Sequence, residues 1–108
     1  MRRVEVTYRR EAIIDIRRIY RAVFEKSQSR TTAARYVQRI YERCEKIGDA
    51  PLGGRPRDDL RSGLRSVPFE KTALILYQVG DFVAITNVFP RGQDYEVLFR
   101  ERVTRAAK

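Results

Sequence analysis

The sequence predicts an α+β fold, in the order β-α-α-β-β-β with a possible short C-terminal helix, in which a helical hairpin packs on a small, mainly antiparallel sheet. Three observations lead to this prediction. Two successive segments in the N-terminal half have apolar residues at three- and four-residue spacing, three short apolar segments follow them, and the link between the first two is short. Because neither helix can bury its apolar stripe against the other alone, both need a third surface, and a sheet provides it.

An edge strand and an amphipathic helix form the predicted N-terminal part. In Arg2–Tyr8, Val4 and Val6 alternate with polar residues, which is typical of a half-buried edge strand. The period becomes helical over Arg10–Lys26, where the apolar residues form one stripe. Asp15 falls with the arginines on the opposite, polar face of this helix.

The second predicted helix ends near Ile47. Either Ser29 or Thr31 is suited to cap its start, because a hydroxyl oxygen accepts a hydrogen bond from a free backbone N–H at that position. Gly48 is expected to stop the helix. Cys44 belongs to the apolar stripe, so we expect it to be a core residue rather than a reactive thiol.

A long aperiodic loop, Gly48–Gly63, precedes the predicted sheet, with one helical turn expected around Asp58–Arg61. Loops of this length within a small domain are uncommon and often carry function. Three strands follow in sequence. They are predicted over Leu64–Phe69, Thr72–Val79 and Phe82–Phe89.

Local residues predict how these strands are arranged. Pro68 cannot donate to a ladder, so the first of the three lies at an edge or contains a bulge. Gly80-Asp81 is typical of a two-residue hairpin, and the nearly continuous apolar strands on either side of it are expected to be central. The final segment, Gln93–Ala107, fits a short amphipathic helix.

Composition limits the classes of function. The 108 residues fit one domain over the whole chain, and a net charge of +9 with a pI near 10.3 favours an acidic partner. With one Cys and no His, an internal disulfide, a Cys–His or Ser–His nucleophile and the usual zinc sites are excluded, and we expect no cofactor. No signal peptide or membrane span is visible, so a cytoplasmic location is expected.

Four local motifs occur in a fixed order along the chain. They are Ala12-Ile13-Ile14-Asp15-Ile16 in the first helix; Ala34, Ile40 and Cys44 in the second; Pro51, Gly54-Arg55-x-Arg57-x-Asp59-Leu60 and Gly63-Leu64-Arg65 in the middle; and Gly92-x-Asp94-Tyr95 followed by Leu98-Phe99 at the end. In this order and spacing, the set resembles the ParE branch of the ParE/RelE toxin superfamily. The chain departs from the family at Tyr8-Arg9, where many members have a capping residue, and at Pro90, where many have His.

The resemblance implies the toxin component of a type II toxin–antitoxin system. ParE-like members inhibit DNA gyrase and trap it on cleaved DNA, whereas RelE-like members cut messenger RNA on the ribosome. The resemblance also implies a cognate antitoxin whose C-terminal segment wraps the toxin as helix and strand, in a hetero-oligomer. An inactive copy that only binds its antitoxin is a third hypothesis.

Two features favour gyrase poisoning over RNA cleavage. Without His, an RNA-cleaving site would have to be assembled from Arg, Lys, Tyr or a carboxylate, and Arg65, Arg91 and Tyr95 are the alternative catalytic set. The clustered lysines usual in RelE-like sites are missing, since the only Lys residues are Lys26, Lys46, Lys71 and Lys108. The favoured hypothesis is therefore a toxin that binds its target without catalysing a reaction.

Five residues are predicted to bind the target: Arg55, Arg57, Arg65, Arg91 and Tyr95. Each has a structural interpretation as well. Arg55 and Arg57 could instead pair with Asp58, Asp59 or Glu96 and fix the loop. Arg65 could form a structural ion pair at its strand start, and Tyr95 could pack in the core.

Overall fold

The structure, a computed structural model, describes residues 3–90 and 95–106, and the side chains of Tyr95 and of residues 103–106 lie outside that description. The predicted α+β fold class is confirmed. In chain order the elements are β1 (Val6–Tyr8), α1 (Arg10–Ser27), α2 (Arg30–Ile47), β2 (Arg55–Pro56), β3 (Leu64–Phe69), β4 (Ala73–Val79), β5 (Val83–Pro90) and α3 (Tyr95–Ala106).

A tight link makes α1 and α2 an antiparallel hairpin. Gln28 takes a left-handed conformation (φ 56°) and its N–H donates to the Phe24 carbonyl, which ends α1. Of the two candidate caps, Ser29 is the one used, because its Oγ accepts from the Thr32 N–H at 3.1 Å. Helix α1 begins after Arg9 without a side-chain cap, as the sequence indicated.

The described strands form a five-stranded sheet in the order β1-β5-β4-β3-β2. Only the β1–β5 pair is parallel, so the sheet is mainly antiparallel, with β4 and β5 inside as predicted. Strand β1 pairs only with Val83–Ile85, and beyond that point the outer side of β5 has no neighbouring strand among the described residues.

A bulge lies in the middle of β5. Leu76 pairs with Asn87 and Tyr77 with Ile85, so Thr86 has no partner in β4. Its Oγ donates to the Leu76 carbonyl at 3.2 Å. Because of the extra residue, Ile85 and Val88 both face the helical hairpin although they are three positions apart.

The sheet is covered on both faces. Helices α1 and α2 pack on one face, around a core that includes Ile16, Ile40, Cys44, Ile75, Tyr77, Ile85 and Val88. Helix α3 packs on the other face through Phe99, against a smaller cluster of Leu64, Leu76 and Phe89. The helix predicted for the C-terminal segment is therefore present and closes the second layer.

The structure corrects three local predictions. Strand β1 begins at Val6 and not at Arg2, and the short strand β2 was missed because it lies within an aperiodic loop. The β4–β5 hairpin has three connecting residues and not two, since Val79 pairs with Val83 and the Gly80 N–H donates to the Phe82 carbonyl.

Gly48 is the C-terminal cap of α2, but the reason why this residue is glycine differs from the one predicted. Its φ of −61° is ordinary for any residue, so a left-handed turn is not what requires glycine. Instead, a Cβ here would overlap the Val4 carbonyl and lie 3.0 Å from Val6 Cγ2. The Val4 N–H donates to the Gly48 carbonyl at 2.9 Å, so glycine allows the N-terminal chain to approach the end of α2.

Candidate functional site

The loop of residues 48–63 is fixed to the sheet by Tyr77. This residue is fully buried in β4, and its hydroxyl accepts from the Gly54 N–H at 2.9 Å and donates to the Pro51 carbonyl at 2.8 Å. Burial raises the pKa of the Tyr77 hydroxyl, which keeps it protonated and able to donate. From the sequence, Tyr77 belongs to the predicted strand Thr72–Val79, and this role was not predicted for it.

Arg65 holds the same loop from β3. Its Nη1 donates to the carbonyls of Leu52 (3.0 Å) and Gly54 (2.8 Å). The sequence suggested an ion pair as its structural role, but the described partners are backbone carbonyls. A guanidinium has five N–H donors, so it can donate to several loop carbonyls at once.

Arg57 joins the loop to α3. Its side chain is only 7% exposed; Nε and Nη2 contact the two Asp59 oxygens at 3.0 and 2.8 Å, and Nη2 contacts Glu96 Oε1 at 2.7 Å. The hydrogen bond from Arg57 lowers the pKa of Asp59. The structure thus shows the pairing that was the alternative to target contact for this arginine.

Arg55 differs from the other two loop arginines. It is exposed on β2, at the outer edge of the sheet, and within the described residues its side chain forms no hydrogen bond or ion pair. Arg55 therefore remains available at the surface. Of the remaining predicted site residues, Arg91 lies outside the described residues, and Tyr95 is described only as the first residue of α3.

Asp15 is a structural residue whose position was predicted wrongly. It is 4% exposed and faces the sheet rather than solvent. Oδ2 accepts from the Val88 N–H at 3.0 Å, and Oδ1 pairs with Arg102 Nη1 at 2.8 Å. Because β1 ends at Tyr8, the Val88 N–H has no strand partner on that side, and the carboxylate takes the place of one.

A basic pocket of about 200 Å³ lies between the start of α1, the bulge of β5 and α3. Its principal polar lining comes from Arg9, Arg61, Arg102, Glu11 and Asn87. A second pocket of about 300 Å³ along the β4–β5 hairpin shares Arg9 with it and is lined by Phe82, which is 48% exposed. Neither pocket was predicted from the sequence. The first is lined by residues of α1, the loop, β5 and α3, and the second joins Arg9, Ser62 and Gly63 to residues of the β4–β5 hairpin.

Chemical groups for nucleophilic or metal catalysis are few. Cys44 is fully buried in the core, as predicted, and burial raises the pKa of its thiol to about 12. The described residues contain no cluster of three or more Cys, Asp or Glu side chains placed to bind a metal ion. The candidate site presents a loop held by hydrogen bonds and ion pairs, with Arg55 exposed at its edge.

Comparison with known proteins decides the family. The family model for the ParE toxin of the type II toxin–antitoxin system parDE matches residues 6–95. The chain belongs to the ParE toxin family. A solved structure described as the chromosomal ParDE toxin–antitoxin system from P. aeruginosa has a similar fold, with a TM-score of 0.69 and 20% identity over 81% of this chain and 95% of that one. Comparison with curated proteins gives no match.

The match places this ParE-family toxin in a class that acts with an antitoxin partner. It spans the hairpin, the loop and all five strands, so the resemblance first noted in short motifs extends through most of the sheet and helices. Within the described residues, no helix has the length and apolar composition needed to cross a membrane.

Proposed function

We propose that this ParE-family toxin acts in the cytoplasm by binding DNA gyrase, trapping it on cleaved DNA, and that a cognate antitoxin neutralises it. The family match over residues 6–95 is the observation that carries this proposal. Gyrase poisoning needs a surface complementary to a protein–DNA complex and no set of proton-transferring groups.

The loop of residues 48–63 supports the proposal as a preformed contact surface. Tyr77, Arg65 and Arg57 hold it by hydrogen bonds and ion pairs, so little conformational entropy is lost when a target binds. Arg55 is exposed at its outer edge and can contact an acidic or phosphate group. We therefore assign target contact to Arg55 first, with Arg91 and Tyr95 as further candidates.

The charge of the protein supports capture by an acidic antitoxin segment. With a net charge of +9, electrostatic attraction would speed the encounter and would weaken as salt is added. The toxin and antitoxin are expected to form a hetero-oligomer.

A supercoiling assay with purified gyrase tests the target. The toxin should inhibit supercoiling and cause cleaved DNA to accumulate. Arg55→Gln should weaken inhibition about fivefold or more, because each 1.4 kcal/mol of binding free energy lost with a contact lowers the affinity tenfold. Arg35→Gln, an exposed arginine on α2, is the matched control and should inhibit like the wild type.

Other outcomes identify other functions. If gyrase is unaffected at high toxin concentration and primer extension in a translation mix shows new 5′ ends within codons, the protein is a ribosome-dependent mRNA endonuclease, with Arg65, Arg91 and Tyr95 as the residues to substitute. If expression arrests no growth while the antitoxin still co-purifies, the protein is an inactive antitoxin-binding module.

A further inference from the structure

Asn87 is a buried polar side chain that faces the basic pocket. It is only 5% exposed. Within the described residues its side-chain amide forms no hydrogen bond. Every described side-chain N or O atom that is fully inaccessible to solvent has a partner, so the amide atoms of Asn87 must be slightly accessible. Because Asn87 lines the pocket, this small accessible area faces the pocket. A buried amide is rarely left without a partner, so this position indicates a group that enters from outside.

Three arginines line the same pocket as this amide. Arg9 Nη2 contacts Gln78 Oε1 at 3.2 Å, Arg102 Nη1 pairs with Asp15, and the Arg61 guanidinium lies 5.2 Å from the centre of the Phe99 ring. Each guanidinium has five N–H donors, so these contacts leave donors available for a ligand. One carboxylate, that of Glu11, also lines the pocket, against three positive charges. The ligand group is therefore an anion that accepts hydrogen bonds.

The adjoining hairpin pocket indicates that this anion belongs to a polypeptide. There the lining changes to the exposed ring of Phe82 together with Val79 and Ala84, and it includes the carboxylate of Asp81. A nucleic-acid strand carries a phosphate on every nucleotide and would bring repeated negative charge past Glu11 and Asp81. A peptide can place one carboxylate among the arginines and an apolar side chain against Phe82.

We propose that these two pockets together bind an acidic segment of the antitoxin, with one Asp or Glu side chain seated against Asn87, Arg9, Arg61 and Arg102. This inference deepens the proposed function and rests on its antitoxin partner. The seated carboxylate accepts from the Asn87 amide and the guanidinium groups, and a neighbouring apolar side chain of the segment covers Phe82. Charge-assisted hydrogen bonds of this kind are stronger than neutral ones, particularly at a site shielded from water.

Selective labelling tests the pocket directly. Asn87 is the only asparagine in the chain, so protein labelled with ¹⁵N-asparagine gives one side-chain amide signal from this site. The probe is the capped dipeptide acetyl-Glu-Leu-amide, with acetyl-Gln-Leu-amide as its neutral counterpart and inorganic phosphate and a single-stranded oligonucleotide as the other anions. A saturable shift of the Asn87 amide with the acidic dipeptide, and at least tenfold weaker binding of the neutral one, is expected.

Other results in this titration would overturn the inference. Saturable binding of phosphate or the oligonucleotide with no response to the acidic dipeptide would assign the pocket to nucleic acid. Equal responses to the acidic and neutral dipeptides would show that no carboxylate is recognised. The absence of any saturable shift would show that the amide is satisfied by water alone.

Binding of the full-length antitoxin separates this inference from the proposed function. Asn87→Asp keeps the shape of the side chain but places a carboxylate where the ligand carboxylate would sit, and Arg61→Gln removes one charge. Each should weaken antitoxin binding about tenfold to a hundredfold, as expected for loss of a charge-assisted contact. The control substitutions Gln38→Glu and Arg35→Gln make the same charge changes on the exposed face of α2 and should leave binding unchanged.

The outcomes are distinguishable. Unchanged affinity in both pocket variants would overturn the pocket assignment while leaving the antitoxin as partner. Failure of the wild-type toxin to bind the antitoxin at all would overturn the partner, and with it both proposals. Amide spectra of each variant confirm that it is folded.

Discussion

Gly54→Ala is expected to be strongly destabilising although it adds only one methyl group. A Cβ at this position would overlap the Tyr77 hydroxyl and would lie 2.8 Å from Cε1 and 2.9 Å from Cζ of the same ring. Carbon atoms do not approach one another so closely, and the ring cannot move aside because Tyr77 is fully buried in the helix-side core. Either the loop or β4 must shift.

The expected cost can be worked out from these contacts. Forcing an extra methyl group into a packed site costs about 1–3 kcal/mol. Displacing the loop also weakens two hydrogen bonds of the Tyr77 hydroxyl, to Gly54 and Pro51, each of which contributes about 1 kcal/mol net. The free energy of unfolding should therefore fall by about 2–4 kcal/mol, which lowers Tm by roughly 10–25 °C in a domain of this size.

Urea unfolding followed by circular dichroism measures this change. Gly80→Ala is the matched control, because a Cβ there meets no atom within 4 Å and the residue has no positive φ. It should be neutral or stabilise by about 0.5 kcal/mol through the unfolded chain. If Gly54→Ala were within about 0.5 kcal/mol of the wild type, or if the two alanine variants were equally destabilised, the contact with Tyr77 would not be the cause.

Three further predictions follow from ionisable side chains. Asp15→Ala should destabilise by about 3 kcal/mol in urea unfolding, because it leaves the Val88 N–H and Arg102 without their partner, and a change below about 1 kcal/mol would contradict this role. Asp59 has a pKa below its ordinary value of 3.8, so its contribution to stability is present above that pH and is lost as pH falls through the lower, folded-state pKa. In Arg57→Met, this part of the acid dependence should disappear when urea midpoints are measured as a function of pH. An unchanged profile would refute the assignment. The Cys44 thiol, with its pKa raised to about 12, should react with a thiol reagent at pH 8 only as fast as the protein unfolds, and rapid reaction of native protein would show that the site is accessible.

The sequence predicted the elements whose residues repeat with a clear period. Both helices of the hairpin, β3–β5 and a cap at Ser29 or Thr31 follow from apolar spacing and local polar residues, because these patterns depend only on neighbours in the chain. Strand β2 has no such pattern, and its two residues become a strand only because β3 offers an edge to pair with.

The candidate site was less predictable because its contacts join distant segments. Asp59 and Glu96 were among the partners considered for Arg55 and Arg57, but only the fold shows that Arg57 pairs with both. Asp15 falls on the polar face when α1 is considered alone. It is buried because it accepts from the Val88 N–H of β5, which lies more than 70 residues away and has no strand partner on that side. The pocket around Asn87 depends on the bulge at Thr86, for which the sequence gave no signal.

The short length of β1 has a consequence for how the protein behaves at high concentration. Beyond Ile85 the outer side of β5 would be an open template onto which another chain could add a strand, and such edges lead to aggregation. In this protein the template is incomplete, since Asp15 already accepts from the Val88 N–H and Pro90 has no N–H to donate. The buried carboxylate of α1 thus helps to keep this small toxin from polymerising through its own sheet.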